Sequence, residues 1–94
     1  MDIDDAYTLV DVRTKAEYDE KHIQGALLIP HTEIKKRAEK ELPDKEALIM
    51  VYCRSGARSK YAAEALGKLG FVNVRDIGGI HAWPGATVSG KESR

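Results

Sequence analysis

Residues 47–59 read Ala-Leu-Ile-Met-Val-Tyr-Cys-Arg-Ser-Gly-Ala-Arg-Ser. The first six make the most apolar stretch of the chain and read as the central strand of a sheet. Beyond the loop, Ala62, Ala65, Leu66 and Leu69 recur at helical spacing, and Gly70 stands where a C′ glycine belongs. The segment Cys53 to Ser59 thus leaves a buried strand at its carboxyl end and leads into a helix. Ligand sites of open α/β sheets lie beyond the carboxyl ends of the strands. This segment is therefore the first place to look for chemistry.

Upstream, Leu9-Val10-Asp11-Val12 reads as a short strand. Thr14-Lys15-Ala16-Glu17 has the spacing of a capping box, which starts a helix at Thr14. Gly25 interrupts that helix. Ala26-Leu27-Leu28-Ile29, ended by Pro30, is a continuous apolar run and reads as a strand buried on both faces. Ile34, Ala38 and Leu42 then recur every four residues among lysines and glutamates. That pattern predicts an amphipathic helix capped by Thr32 and stopped near Pro43. Downstream, Phe71 to Ile77 reads as a last strand, and Gly78-Gly79 turns into a short final helix that ends before Pro84. The order β-α-β-α-β-α-β-α predicts an α/β fold, a parallel sheet of four to five strands with helices on both faces. A fifth strand from Asp2 to Tyr7 would be marginal, leaving either a minimal domain or an edge for a partner. Residues 1–8 are expected to form an N-terminal segment, 9–85 the domain and 86–94 a polar, frayed tail.

At 94 residues the chain has room for one domain and a modest core. Its 43% hydrophobic and 32% charged content places it among globular proteins. Lys plus Arg and Asp plus Glu both number 15, so net charge points to neither nucleic acid nor membrane as a partner. The charges are nonetheless segregated. Asp2, Asp4, Asp5, Asp11, Glu17, Asp19 and Glu20 crowd the first twenty residues, whereas Cys53 to Lys60 carries Arg54, Arg58 and Lys60 and no acid. No apolar run approaches membrane-spanning length, and no signal-peptide core opens the chain. The cytoplasm is the expected compartment, or the periplasm if a signal has been removed. A single cysteine excludes an internal disulfide and a Cys-Cys zinc knuckle. No His, Asp or Glu cluster has ligand spacing, so neither a metal nor a cofactor is expected.

A lone cysteine is most often a small buried hydrophobe. Its neighbours argue otherwise here. A loop between a strand and a helix N-terminus turns several backbone N–H groups into one concavity that favours an anion. Gly56 permits the positive φ such a cradle needs, and Arg54 and Arg58 add fixed positive charge. A Cys53 thiol placed there is expected to have a lowered pKa, to be exposed and to act as a nucleophile. Loop length separates two chemistries. Cysteine phosphatases close C-x5-R around a phosphoryl group, whereas Cys53 to Arg58 is C-x4-R, a tighter cradle suited to a smaller bound atom such as sulfur.

Longer patterns carry a resemblance. Asp11-Val12-Arg13, Glu17-Tyr18, His22-Ile23-x-Gly25-Ala26 and Ile29-Pro30 resemble the first half of the rhodanese signature. Tyr52-Cys53-Arg54-Ser55-Gly56-Ala57-Arg58-Ser59, Ala62-Ala63, Leu66, Gly70-Phe71 and Gly78-Gly79-Ile80-x-Ala82-Trp83 resemble the second. The resemblance implies a rhodanese-like fold and a cysteine that takes sulfane sulfur from a small anionic donor such as thiosulfate. It hands that sulfur to cyanide or a thiol, small or on a protein. Carried onto this chain, it makes Cys53 the persulfide carrier and the amides of Arg54, Ser55, Gly56, Ala57, Arg58 and Ser59 its cradle. Arg58 becomes the partner of the donor's anionic end, a role that Arg54 either shares or leaves for solvent. A low-turnover module in a partner-protein sulfur relay is the alternative, and a monomer or weak dimer is expected.

The remaining candidates read as structure. Asp11 and Arg13 are expected to pair with each other or with backbone at a strand end. His22 should make a structural hydrogen bond. No acid is spaced to orient His31 or His81 as a base, so no Cys-His dyad is expected. Trp83 reads as a core or pocket-wall aromatic.

Overall fold

The computed structural model describes residues 7–83, 85 and 87–88. Strand β1 (Tyr7–Asp11) leads to helix α1 (Lys15–Glu20), then to the two-residue strands β2 (His22–Ile23) and β3 (Leu27–Leu28). A 3-10 turn over His31–Glu33 opens helix α2 (Ile34–Glu41). Strand β4 (Leu48–Cys53), helix α3 (Ala57–Lys68), strand β5 (Val74–Gly79), a 3-10 turn over Ile80–Ala82 and strand β6 (Thr87–Val88) complete the order. β3, β1, β4 and β5 form a parallel sheet in that order, and β2 pairs antiparallel with β6.

Period-two alternation in the central strands builds two cores. Val10, Val12, Ile49, Val51 and Cys53 face one side, where Ile34 and Ala38 of α2 and Ala62, Ala65 and Leu66 of α3 cover them. Leu9 and Tyr52 face the other, with Tyr18 of α1, Ile23 of β2 and Ile80 as their cover. Helices thus lie on both faces of a four-stranded parallel sheet, as the element order predicts. Asp2 to Asp5, most of the marginal fifth strand, lie outside the described residues.

Several boundaries differ from the sequence reading. Helix α1 ends at Glu20 rather than at Gly25, because His22 and Ile23 leave it to pair with Val88 and Thr87. The run Ala26–Ile29 pairs only through Leu27 and Leu28 and forms an edge of the sheet. Thr32 caps nothing: it lies inside the 3-10 turn, and Glu33 stands at the start of α2 without a side-chain cap bond. The last strand begins at Val74, since Phe71 turns its ring into the core and its amide bonds Leu66 O at 3.1 Å. It runs on through Gly79, and the expected final helix is a single 3-10 turn. The capping box of Thr14 and Glu17 is present, and Gly70 has φ 101° after α3.

Candidate active site

β4 ends on Cys53, and an irregularity between Val51 and Cys53 sets that residue opposite Gly79 of β5. The chain then turns through Arg54 and Ser55 to Gly56, which precedes α3 with φ 107°, a left-handed conformation that glycine adopts without strain. Glycine at position 79 answers a different need. A Cβ there would collide with the carbonyl oxygen of Arg54, so the loop rests directly on the β5 backbone.

Cys53 is 1% exposed, which corrects the expectation of an exposed thiol. The loop folds back over the sulfur: Gly56 N donates to Sγ at 2.8 Å, and Ser59 Oγ lies 3.6 Å away. Burial pushes the thiol pKa up. Hydrogen bonds from the Ser59 hydroxyl and from the amides of Ser59, Gly56 and Ser55 outweigh it, and the net shift is downward. The amide cradle therefore lowers the thiol pKa, as the loop's position between strand and helix implies.

The two loop arginines diverge. Both Arg58 terminal nitrogens donate to Glu17, at 2.8 Å to Oε1 and 2.9 Å to Oε2. Those bonds, above all, hold the Glu17 carboxyl down at about 2. Glu17 Oε1 also accepts from Thr14 N at 3.0 Å, so the capping box aims the carboxylate that grips Arg58. Arg54 is exposed and, with Glu17, Lys21 and His81, lines an open cleft of about 330 Å³. On the other side Arg58, Ala57, His31 and Tyr61 line a groove of about 410 Å³. Ser55 and Ala57 are exposed, whereas Ser59 is fully buried.

Behind the cradle, Ser59 Oγ donates to Asp76 Oδ1 at 2.7 Å, and Gly78 N donates to the same oxygen at 2.9 Å. Neither Glu17 nor Asp76 was legible as a site residue. Glu17 reads as a helix cap and Asp76 as one charge on a strand, and no local spacing ties either to the cysteine loop.

The residues read as structural are so engaged. Arg13 donates to Asp11 through Nε and Nη2, the latter at 2.7 Å, and Tyr52 OH donates to Asp11 Oδ2 at 2.8 Å. His22 is buried, with Nδ1 2.7 Å from Tyr18 O and its ring stacked on Tyr18. Trp83 packs against the second core. Among the described residues no group of three His, Cys, Asp or Glu side chains converges as metal ligands do, and no helix is long and apolar enough to cross a membrane.

The Rhodanese-like domain profile matches residues 1–86. Thiosulfate sulfurtransferase PspE of Escherichia coli is 39% identical over 71 residues, covering 76% of this chain and 68% of that protein. Putative sulfur carrier protein YrkF of Bacillus subtilis is 38% identical over 88 residues, which span 93% of this chain but 46% of that longer protein. The solved structure of a rhodanese with anions from E. coli superposes with a TM-score of 0.87 at 36% identity, covering 90% of this chain and 100% of that one. These likenesses run through the strand, loop and helix that enclose Cys53, and the chain belongs to the rhodanese-like domain family.

Proposed function

We propose that the chain is a thiosulfate sulfurtransferase that carries sulfane sulfur as a persulfide on Cys53. The observation that carries this reading is the lone free cysteine at the end of β4, its sulfur bonded by Gly56 N at 2.8 Å and its pKa lowered by loop amides. Family membership and the likeness to PspE support the reaction class. The Cys53 thiolate attacks the outer sulfur of thiosulfate. A new S–S bond forms, the donor's S–S bond breaks, and its electron pair leaves with sulfite. The amides of Arg54 to Ser59 stabilise the charge on the persulfide, and Arg58 meets the donor's anionic end when it exchanges Glu17 for substrate. Cyanide or a thiol then takes the outer sulfur and returns the thiolate, giving a ping-pong rate law.

Intact-protein mass spectrometry after brief thiosulfate treatment tests the assignment. The expected result is a gain of one sulfur atom, removed by cyanide and absent in Cys53→Ser. An unchanged mass on folded, reduced protein would remove thiosulfate as donor.

A sulfur-relay role is the second reading. It is supported by the likeness to YrkF and by an exposed Tyr61 beside Arg58, a surface suited to a protein acceptor. Slow turnover with cyanide and small thiols, alongside rapid transfer to a protein thiol, would favour it. The cytoplasm keeps such a thiol reduced and is the proposed compartment. Cell fractionation checks it.

A further inference from the structure

Ser59 has one hydroxyl proton and three acceptors around it. Asp76 Oδ1 stands at 2.7 Å, Gly56 O at 3.1 Å and Cys53 Sγ at 3.6 Å. The carboxylate is both the nearest and the charged acceptor, so it takes the proton. The Ser59 lone pairs are left facing the sulfur, and the thiol donates to them. Cys53, Ser59 and Asp76 then form a chain of hydrogen bonds running in one direction, from a buried sulfur to an exposed carboxylate.

We propose that Asp76 is a positioning residue for Cys53: it draws the Ser59 proton to itself and so presents the Ser59 oxygen, not its proton, to the sulfur. The proposal rests on the reading of Cys53 as sulfur carrier. In the free thiolate the Ser59 hydroxyl lowers the pKa only by turning its one proton from Asp76 to the sulfur, and the carboxylate competes for that proton. In the persulfide the charge sits on the outer sulfur, and Sγ, without a proton, can stay beside the Ser59 oxygen. Asp76 therefore favours the resting thiol and the loaded carrier over the bare thiolate, and opposes the amides of the cradle.

Other charged and titratable groups around the loop include Arg58 of α3 with its partner Glu17 of α1, and Arg54 of the loop, which shares its cleft with Arg13, Glu20, Lys21 and His81. His31, from the turn before α2, shares a groove with Arg58. All stay constant across Asp76 and Ser59 variants.

The test is the pH dependence of Cys53 alkylation by iodoacetamide, without any sulfur donor, in wild type, Asp76→Ala, Asp76→Asn, Ser59→Ala and the doubles of Ser59→Ala with each Asp76 variant. The midpoint is expected to fall by about 0.5–1 unit in Asp76→Ala and in the same direction in Asp76→Asn, which keeps an acceptor for Gly78 N. With Ser59 already Ala, the same Asp76 changes should leave the midpoint in place. No downward shift in either single variant would overturn the proposal, and so would an equal shift in the Ser59→Ala background, which would mean charge acting through space. If Asp76→Ala misfolds by circular dichroism, Asp76→Asn alone decides. Failure of the sulfur-carrier reading shows separately, as absent thiosulfate loading of the wild type.

Discussion

Arg58 is shared between two claims. Its guanidinium is held by Glu17 in a two-point pair, the geometry in which arginine binds carboxylates best. A thiosulfate anion that uses the same two donors must displace that carboxylate. Glu17→Gln removes the competing charge, and glutamine can still serve the capping box with Thr14. The KM for thiosulfate is therefore expected to fall by about three- to tenfold, as when a charge-assisted pair is replaced by a neutral one. Steady-state kinetics at fixed acceptor checks it, and an unchanged or higher KM would mean that Arg58 does not meet the donor.

Among the elements, α1 and the cysteine loop depend on single positions. The Thr14 hydroxyl accepts from Glu17 N at 3.2 Å and gives the six-residue α1 its start. Thr14→Ala should cost about 1 kcal/mol of stability, read as a lower urea midpoint with unchanged slope. Two glycines make a contrasting pair. Gly79→Ala drives a Cβ into the carbonyl of Arg54 and should displace the loop, losing most sulfur loading while leaving the helical circular dichroism in place. Gly67 lies inside α3 with nothing within 4 Å of a new Cβ. Gly67→Ala is expected to stabilise by about 0.5–1 kcal/mol, through helix propensity alone, with activity unchanged.

At the scale of the whole molecule, polar ties fasten the elements of the second-core face to one another and that face to the other. Tyr52 OH donates to Asp11 and accepts from Ile23 N at 3.0 Å, fastening β4 to β1 and to the small β2–β6 ribbon. The Glu17–Arg58 pair ties α1 on one face to α3 on the other. Its pH dependence follows from the depressed carboxyl. Glu17 ionises at about 2 in the folded protein against an ordinary 4.5, so its contribution is complete above pH 4.5 and disappears as the pH falls toward 2. For a partly exposed pair the effect is about 1 kcal/mol or less. Urea titrations across that window should show a shallower acid limb in Glu17→Gln than in wild type.

What the sequence determined by itself is local. The apolar run before Cys53, the helical recurrence after it and the Thr14–Glu17 capping box are patterns within one element, where side-chain periodicity and backbone hydrogen bonding leave one reading. They suffice for the α/β order, the parallel sheet and the place of the cysteine loop at a strand's carboxyl end. The positive φ of Gly56 was legible for the same reason. Only the tertiary structure decided the pairing of Glu17 with Arg58, 41 residues apart, and of Ser59 with Asp76, 17 apart. No sequence spacing encodes which charges meet once helices pack from different faces. The burial of Cys53 also belongs to that level, because the loop covers the sulfur only when it rests on Gly79 of the neighbouring strand. The two-residue strands β2 and β6 have too few residues to show a period, and their pairing exists because residues 22–23, whose Ile23 belongs to the second core, are brought beside residues 87–88.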